Sequence, residues 1–137
     1  MKTPYDAAAR VRQREIDDLR KLIDAERGRL AQIDKRLETI AAALVREARL
    51  AADDPALTAQ AYMDLLRAER ARLVAEKPVI EARLAQLRDQ TAEAYGALRA
   101  IETAAADYRH EAERILANAE QTMLDDIAAT SLFRRSA

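Results

Sequence analysis

Few side chains in this sequence could carry out chemistry, and none of them sits in an arrangement that would let it. His110 is the only imidazole. A general base needs a nucleophile to serve and a metal needs further ligands; the sequence around His110 supplies neither, and the residue falls between two seam positions, facing solvent. Ser131 and Ser136 are the only serines, and neither has a base beside it in sequence. The carboxylate pairs Asp17-Asp18, Asp53-Asp54 and Asp125-Asp126 are immediate neighbours. On a helix, neighbours point roughly 100° apart, so these pairs do not converge on one substrate atom and read as solvated faces or caps. Gly28 and Gly96 are isolated and make no phosphate-binding loop. There is no cysteine, hence no disulfide framework, zinc cluster or thiol chemistry, which fits a reducing compartment. The expectation is a protein that is not an enzyme and uses no cofactor or metal.

The elements that would position any functional side chain are read from composition and periodicity. Of the 137 residues, 34% are charged and 50% hydrophobic, much of the latter Ala, with one Phe and no Trp. An Ala/Glu/Arg/Leu-rich chain with few breakers has the composition of a long helix or coiled coil, and a compact globule would use more aromatics. Positions three and four apart carry Tyr5, Ala9, Arg12, Ile16, Leu19, Ile23, Glu26, Leu30, Ile33, Leu37, Ile40 and Leu44. The pattern stops at Asp53-Asp54-Pro55 and resumes at Leu66, Leu73, Ile80, Leu84 and Leu87, continuing past Ile115. The fold class that follows is all-α: a long two-helix antiparallel coiled-coil hairpin with an overhanging C-terminal helix. Such a shape has almost no concave interior, so its work is contact, reach and leverage.

The boundaries follow from caps and breakers. Thr3 suits an N-cap, with Pro4 at the first helical position and Asp6 meeting the helix dipole. The first helix is expected over about 4–50, with Gly28 inside it and off the seam. The turn falls at about 51–54, with Asp54 capping a second helix that starts at Pro55 and runs over about 55–130. Pro78 removes a backbone hydrogen bond and predicts a kink or short break near 74–78. All 137 residues form one coiled-coil domain.

A turn centred near residue 52 sets Ile23 against Ile80, Leu30 against Leu73, Leu37 against Leu66 and Leu19 against Leu84. It also sets the two polar seam residues, Glu26 and Lys77, against each other as a register pair, unless both reach solvent independently.

Charge excludes further classes. The net charge is −1 with the signs interleaved: residues 1–27 hold seven basic and six acidic side chains, residues 105–137 four and six. No basic stripe is set apart for a phosphate backbone, so nucleic acid is not an expected partner. The longest apolar run, Ile40 to Val45, is far short of the roughly 20 residues that span a bilayer, and the first residues have no apolar signal core. A membrane-surface helix lacks its basic face. A cytoplasmic protein is expected, peripheral to a membrane at most through its partners.

The helices are unequal, so the second has no internal partner beyond about residue 103. An apolar stripe continues there through Tyr108, Ile115, Leu116, Met123 and Ile127, shifting line as it goes. Three fates are open to it: binding a partner, self-association as a monomer–dimer equilibrium, or fraying. The expected partner-binding residues are Leu116, Met123, Leu124, Ile127 and Phe133, with Arg134 and Arg135 beside the only Phe. Residues 131–137 read equally as a frayed tail.

The length, the short-then-long hairpin and the tail Glu120…Leu124-Asp125-Asp126-Ile127-Ala128 resemble the FliJ family, the small coiled-coil proteins of the bacterial flagellar export apparatus, similar to the stalk-like YscO proteins of type III secretion. Asp126 stands where the family more usually has Glu. The resemblance implies a stalk inserted into the pore of a hexameric export ATPase, with contacts to the export gate and export chaperones. ATP chemistry would belong to the partner. Residues 105–130 and the nearby N-terminus would enter the ring, and the protein would work in the cytoplasm and at the cytoplasmic face of the inner membrane. A homo-oligomeric coiled-coil scaffold or adaptor unrelated to secretion is the alternative.

Overall fold

A computed structural model describes residues 1–54 and 59–136. It contains two helices and, among the described residues, no strand: α1 (Asp6–Asp53) and α2 (Gln60–Ser136), of 48 and 77 residues. They pack against each other as an all-α helical hairpin. The chain divides into two compact units, Ile16–Glu93 and Met1–Glu15 with Ala94–Ala137.

In the unit Ile16–Glu93 the seam is the one the periodicity predicts. Ile33, Ile40, Ala43, Leu66, Leu73, Ile80 and Leu84 form a buried cluster, with Ile23, Leu30, Leu37 and Leu44 packed against it. Ile16, Ile40 and Ile80 are almost completely enclosed. Each large side chain buried in such a seam contributes roughly 1.5–3 kcal/mol, so this row, more than helix propensity, holds the two helices together.

Charged side chains border the seam. The Arg36 guanidinium grips Glu69 with both arms, Nε to Oε1 at 2.7 Å and Nη2 to Oε2 at 2.8 Å. That double hydrogen bond holds the Glu69 carboxyl below, and the Arg36 guanidinium above, their ordinary values. Arg29 reaches Glu76 at 3.2 Å.

The expected register pair needs correction. Glu26 and Lys77 do not pair with each other. Glu26 Oε1 accepts from Arg83 at 3.0 Å and from Arg29 at 3.5 Å, and Lys77 lies 2.8 Å from Asp34. Nor does Glu26 reach solvent independently; its side chain is 12% exposed. A turn at residue 52 would set Arg36 and Arg29 opposite residues 67 and 74, but their partners are Glu69 and Glu76. Arg83 and Lys77 lie further beyond the expected positions, in the same direction.

Two physical causes act together. Side chains on a helix lean toward its N-terminus, so in an antiparallel pair they meet residues beyond the level of their own Cα. In addition, α1 continues to Asp53, where the Asp54 amide donates to the Leu50 carbonyl at 3.0 Å, and α2 starts only at Gln60, so the connection is centred later than 52. The expected helix start at Pro55 lies outside the described residues.

No break occurs near 74–78, because α2 runs continuously through Pro78. Pro78 and Val74, whose carbonyl loses its amide partner there, both lie on the exposed side, while Leu73 and Ile80 keep the seam in place.

Candidate partner-binding surface

The second unit begins with a reciprocal cap. The Thr3 amide donates to Asp6 Oδ2 at 3.0 Å, the Thr3 hydroxyl donates to Asp6 Oδ1 at 2.7 Å, and the Tyr5 amide donates to the Thr3 hydroxyl oxygen at 3.2 Å. The arrangement is a capping box with Asp in the reciprocating position. Asp6 is held below the usual carboxyl range, first by the Thr3 hydroxyl, then by the Thr3 amide, with Arg109 and Arg10 adding to it.

Arg109 ties this cap to α2. Its Nε donates to the Met1 carbonyl at 3.3 Å, and its Nη2 lies 3.7 Å from Asp6 Oδ1. Beneath that clasp Ala94, Leu98 and Ala105 are buried, and Ile101, Ala104, Arg109 and Ala112 are half-buried.

The start of the overhang is therefore not residue 103. Burial continues to Ala112, and every residue from Glu113 to Ser136 is exposed. Arg109 is the residue that sequence reasoning missed. The only available sign was a cation one place beyond the seam position of Tyr108, near the level of an acidic helix start at Asp6. Tyr108 itself is 44% exposed.

All five residues expected to touch a partner are exposed: Leu116, Met123, Leu124, Ile127 and Phe133. They do not share one line. At about 100° per residue, Leu116, Met123 and Ile127 stand within roughly 20° of a common line down α2. Leu124 stands roughly 80° to one side and Phe133 roughly 100° to the other. The common line is the continuation of Ala105 and Ala112, buried and half-buried in the same unit. A shallow depression follows it, lined by Ala119, Met123, Asp126, Ile127, Thr130 and Arg134. All its walls come from one helix, so it cannot enclose a small molecule the way a ligand site does.

The polar candidates stay apart. His110 is exposed. Asp125 accepts from Gln121, and the Ser136 hydroxyl donates back to the carbonyls of Leu132 and Phe133. Among the described residues no group of His, Asp and Glu side chains could hold a metal ion.

Compared with known proteins, the chain matches no family model, no curated protein and no solved structure.

Proposed function

We propose that this chain is a non-enzymatic stalk or coupling protein of a bacterial type III export apparatus of the flagellar kind, docking its distal α2 face on a hexameric export ATPase. Contacts to the export gate and to export chaperones belong to the same reading. The observation that carries the docking role is the run from Glu113 to Ser136: an unbroken helix, exposed throughout, with Ile115, Leu116, Met123, Leu124, Ile127, Leu132 and Phe133 all more than half exposed. Apolar area of that kind on a helix that continues a packed seam is the usual mark of a helix-in-groove or helix-on-helix contact. The resemblance of the hairpin and its tail to FliJ-like proteins supplies the identity of the partner. No helix among the described residues is long and apolar enough to cross a membrane, so a membrane role would run through partners.

The test is capture of the hexameric export ATPase by the full chain and by the double variant Met123→Ala, Ile127→Ala. The expected result is capture by the parent chain and its loss in the variant, with helicity unchanged by circular dichroism. Capture that survives the double substitution rejects this docking face, and no capture by the parent chain rejects the export reading.

A further inference from the structure

The chemistry of the missing partner surface can be read from what borders the apolar line. Between Ala112 and Ser131, Glu113 and Glu120 stand roughly 40–60° to one side of that line and Asp126 roughly 80° to the other. The basic side chain in this span, Arg114, points to the far side of the helix, where it pairs with Glu111. The borders of the line are therefore acidic on both sides, with a cation only at the end, at Arg134.

A second copy of the chain fits these borders badly. Parallel pairing sets the two borders against each other, Glu120 towards Asp126 of the other copy, and antiparallel pairing about Met123 sets each border against its own counterpart, glutamates on glutamates and Asp126 on Asp126; like charges facing each other across a helical seam oppose association.

The repeat also changes at this point. In the unit Ile16–Glu93 the seam steps by seven, through Leu66, Leu73, Ile80 and Leu87. Beyond it, Ala105, Leu116 and Ile127 are eleven apart, as are Ala112, Met123 and Arg134. A seven-residue repeat wraps left-handed, whereas an eleven-residue repeat runs straight to slightly right-handed. The distal face continues the line buried up to Ala112 but does not repeat the left-handed wrap of the hairpin seam.

We propose that the occupant of this face is a basic amphipathic helix of another protein, its apolar stripe laid on Leu116, Met123 and Ile127 and its Lys or Arg side chains meeting Glu113, Glu120 and Asp126. The inference rests on the reading of this stripe as the docking face and adds the charge and repeat of what docks there.

Two synthetic helical peptides test it. Both carry the same Leu/Ile stripe on an eleven-residue repeat; one is bordered by Lys and the other by Glu. Fluorescence anisotropy against the full chain is expected to show the Lys-bordered peptide binding about tenfold more tightly, a margin that shrinks as salt is raised. In the variant Glu113→Lys, Glu120→Lys, Asp126→Lys the preference reverses. Equal binding, preference for the Glu-bordered peptide or binding of neither overturns the proposal. So does a dimer of the chain alone in sedimentation equilibrium that Met123→Ala with Ile127→Ala dissolves, because a second copy then covers the face. The peptide preference together with failure to capture the export ATPase retains this inference and rejects the export reading.

Discussion

Ile40 and Ile127 are the same residue on helices of similar composition, one fully enclosed and the other 59% exposed. Around Ile40 the apolar positions step by seven and meet a matching row on the other helix. Around Ile127 they step by eleven and meet solvent. Propensity and amphipathicity are satisfied in both regions, so neither separates folding from function. What separates them is whether the row has a partner row within the chain. In Ile16–Glu93 apolar residues hold the hairpin together; in Glu113–Ser136 the same residue types add nothing to it and form the exposed face on which the proposed docking rests.

The sharpest way to break this contrast is to truncate both isoleucines separately. Ile40→Ala removes a fully buried side chain from a seam only two helices thick, and a loss of about 2–5 kcal/mol is expected. Ile127→Ala should change stability by less than about 0.5 kcal/mol. Urea titration followed by circular dichroism measures both. Comparable losses would mean that the distal face is packed in solution against something the monomer does not show.

The sequence made much of this contrast legible and part of it not. The seam residues Ile16 to Leu44 and Leu66 to Leu87 could be read because three-and-four spacing on an Ala- and Arg-rich chain has few other physical meanings. The exposure of Leu116, Met123 and Ile127 followed from the unequal helix lengths. Register was harder. Moving the connection by a few residues changes no residue's amphipathic pattern, yet it separates Glu26 from Lys77 and gives each a different partner. The end of the internal contact was missed for a similar reason. Arg109 reaches a backbone carbonyl and a capping carboxylate, and a cation that bonds a carbonyl leaves no periodic signature.

A smaller effect sharpens the comparison from inside the hairpin seam. Glu26 sits at a seam position, and while its Oε1 takes two arginines, its buried Oε2 has no hydrogen-bond partner. An unsatisfied buried carboxylate oxygen opposes folding, and replacing a buried ionic group by an apolar one is often stabilising. Glu26→Leu is expected to raise stability by about 1 kcal/mol, read as a higher midpoint in the same urea titration. The cost should appear as looser register, because Arg83 and Arg29 lose a common anchor. Cysteine cross-linking between positions 27 and 81, both exposed, leaves Arg29 and Arg83 in place and would then give a broader set of products. A lower urea midpoint would show that the Glu26 ion pairs stabilise the seam outright, leaving the apolar row with less of the work than argued above.

The smallest expected effect concerns the clasp that ends internal burial. Asp6 has its folded-state pKa depressed below the ordinary 3.8, chiefly by the Thr3 hydroxyl and amide. A carboxylate of that kind binds its proton more weakly in the folded state than in the unfolded one. Its contribution to stability is fully present above about pH 4 and is lost as pH falls through the lowered value. Asp6→Asn removes the charge and weakens the reciprocal bonds to Thr3. Amide hydrogen exchange at pH 6 should then accelerate over residues 3–10 and leave the seam around Ile40 and Ile80 unchanged. The parent chain should show the same local loosening only when acidified below pH 4, and the variant should show no such acid step. If acidification loosens both chains equally over residues 3–10, the Asp6 carboxylate is not what holds the start of α1 to Arg109, and the boundary between covered and open α2 at Ala112 must rest on the apolar contacts of Leu98, Ile101 and Ala105 instead.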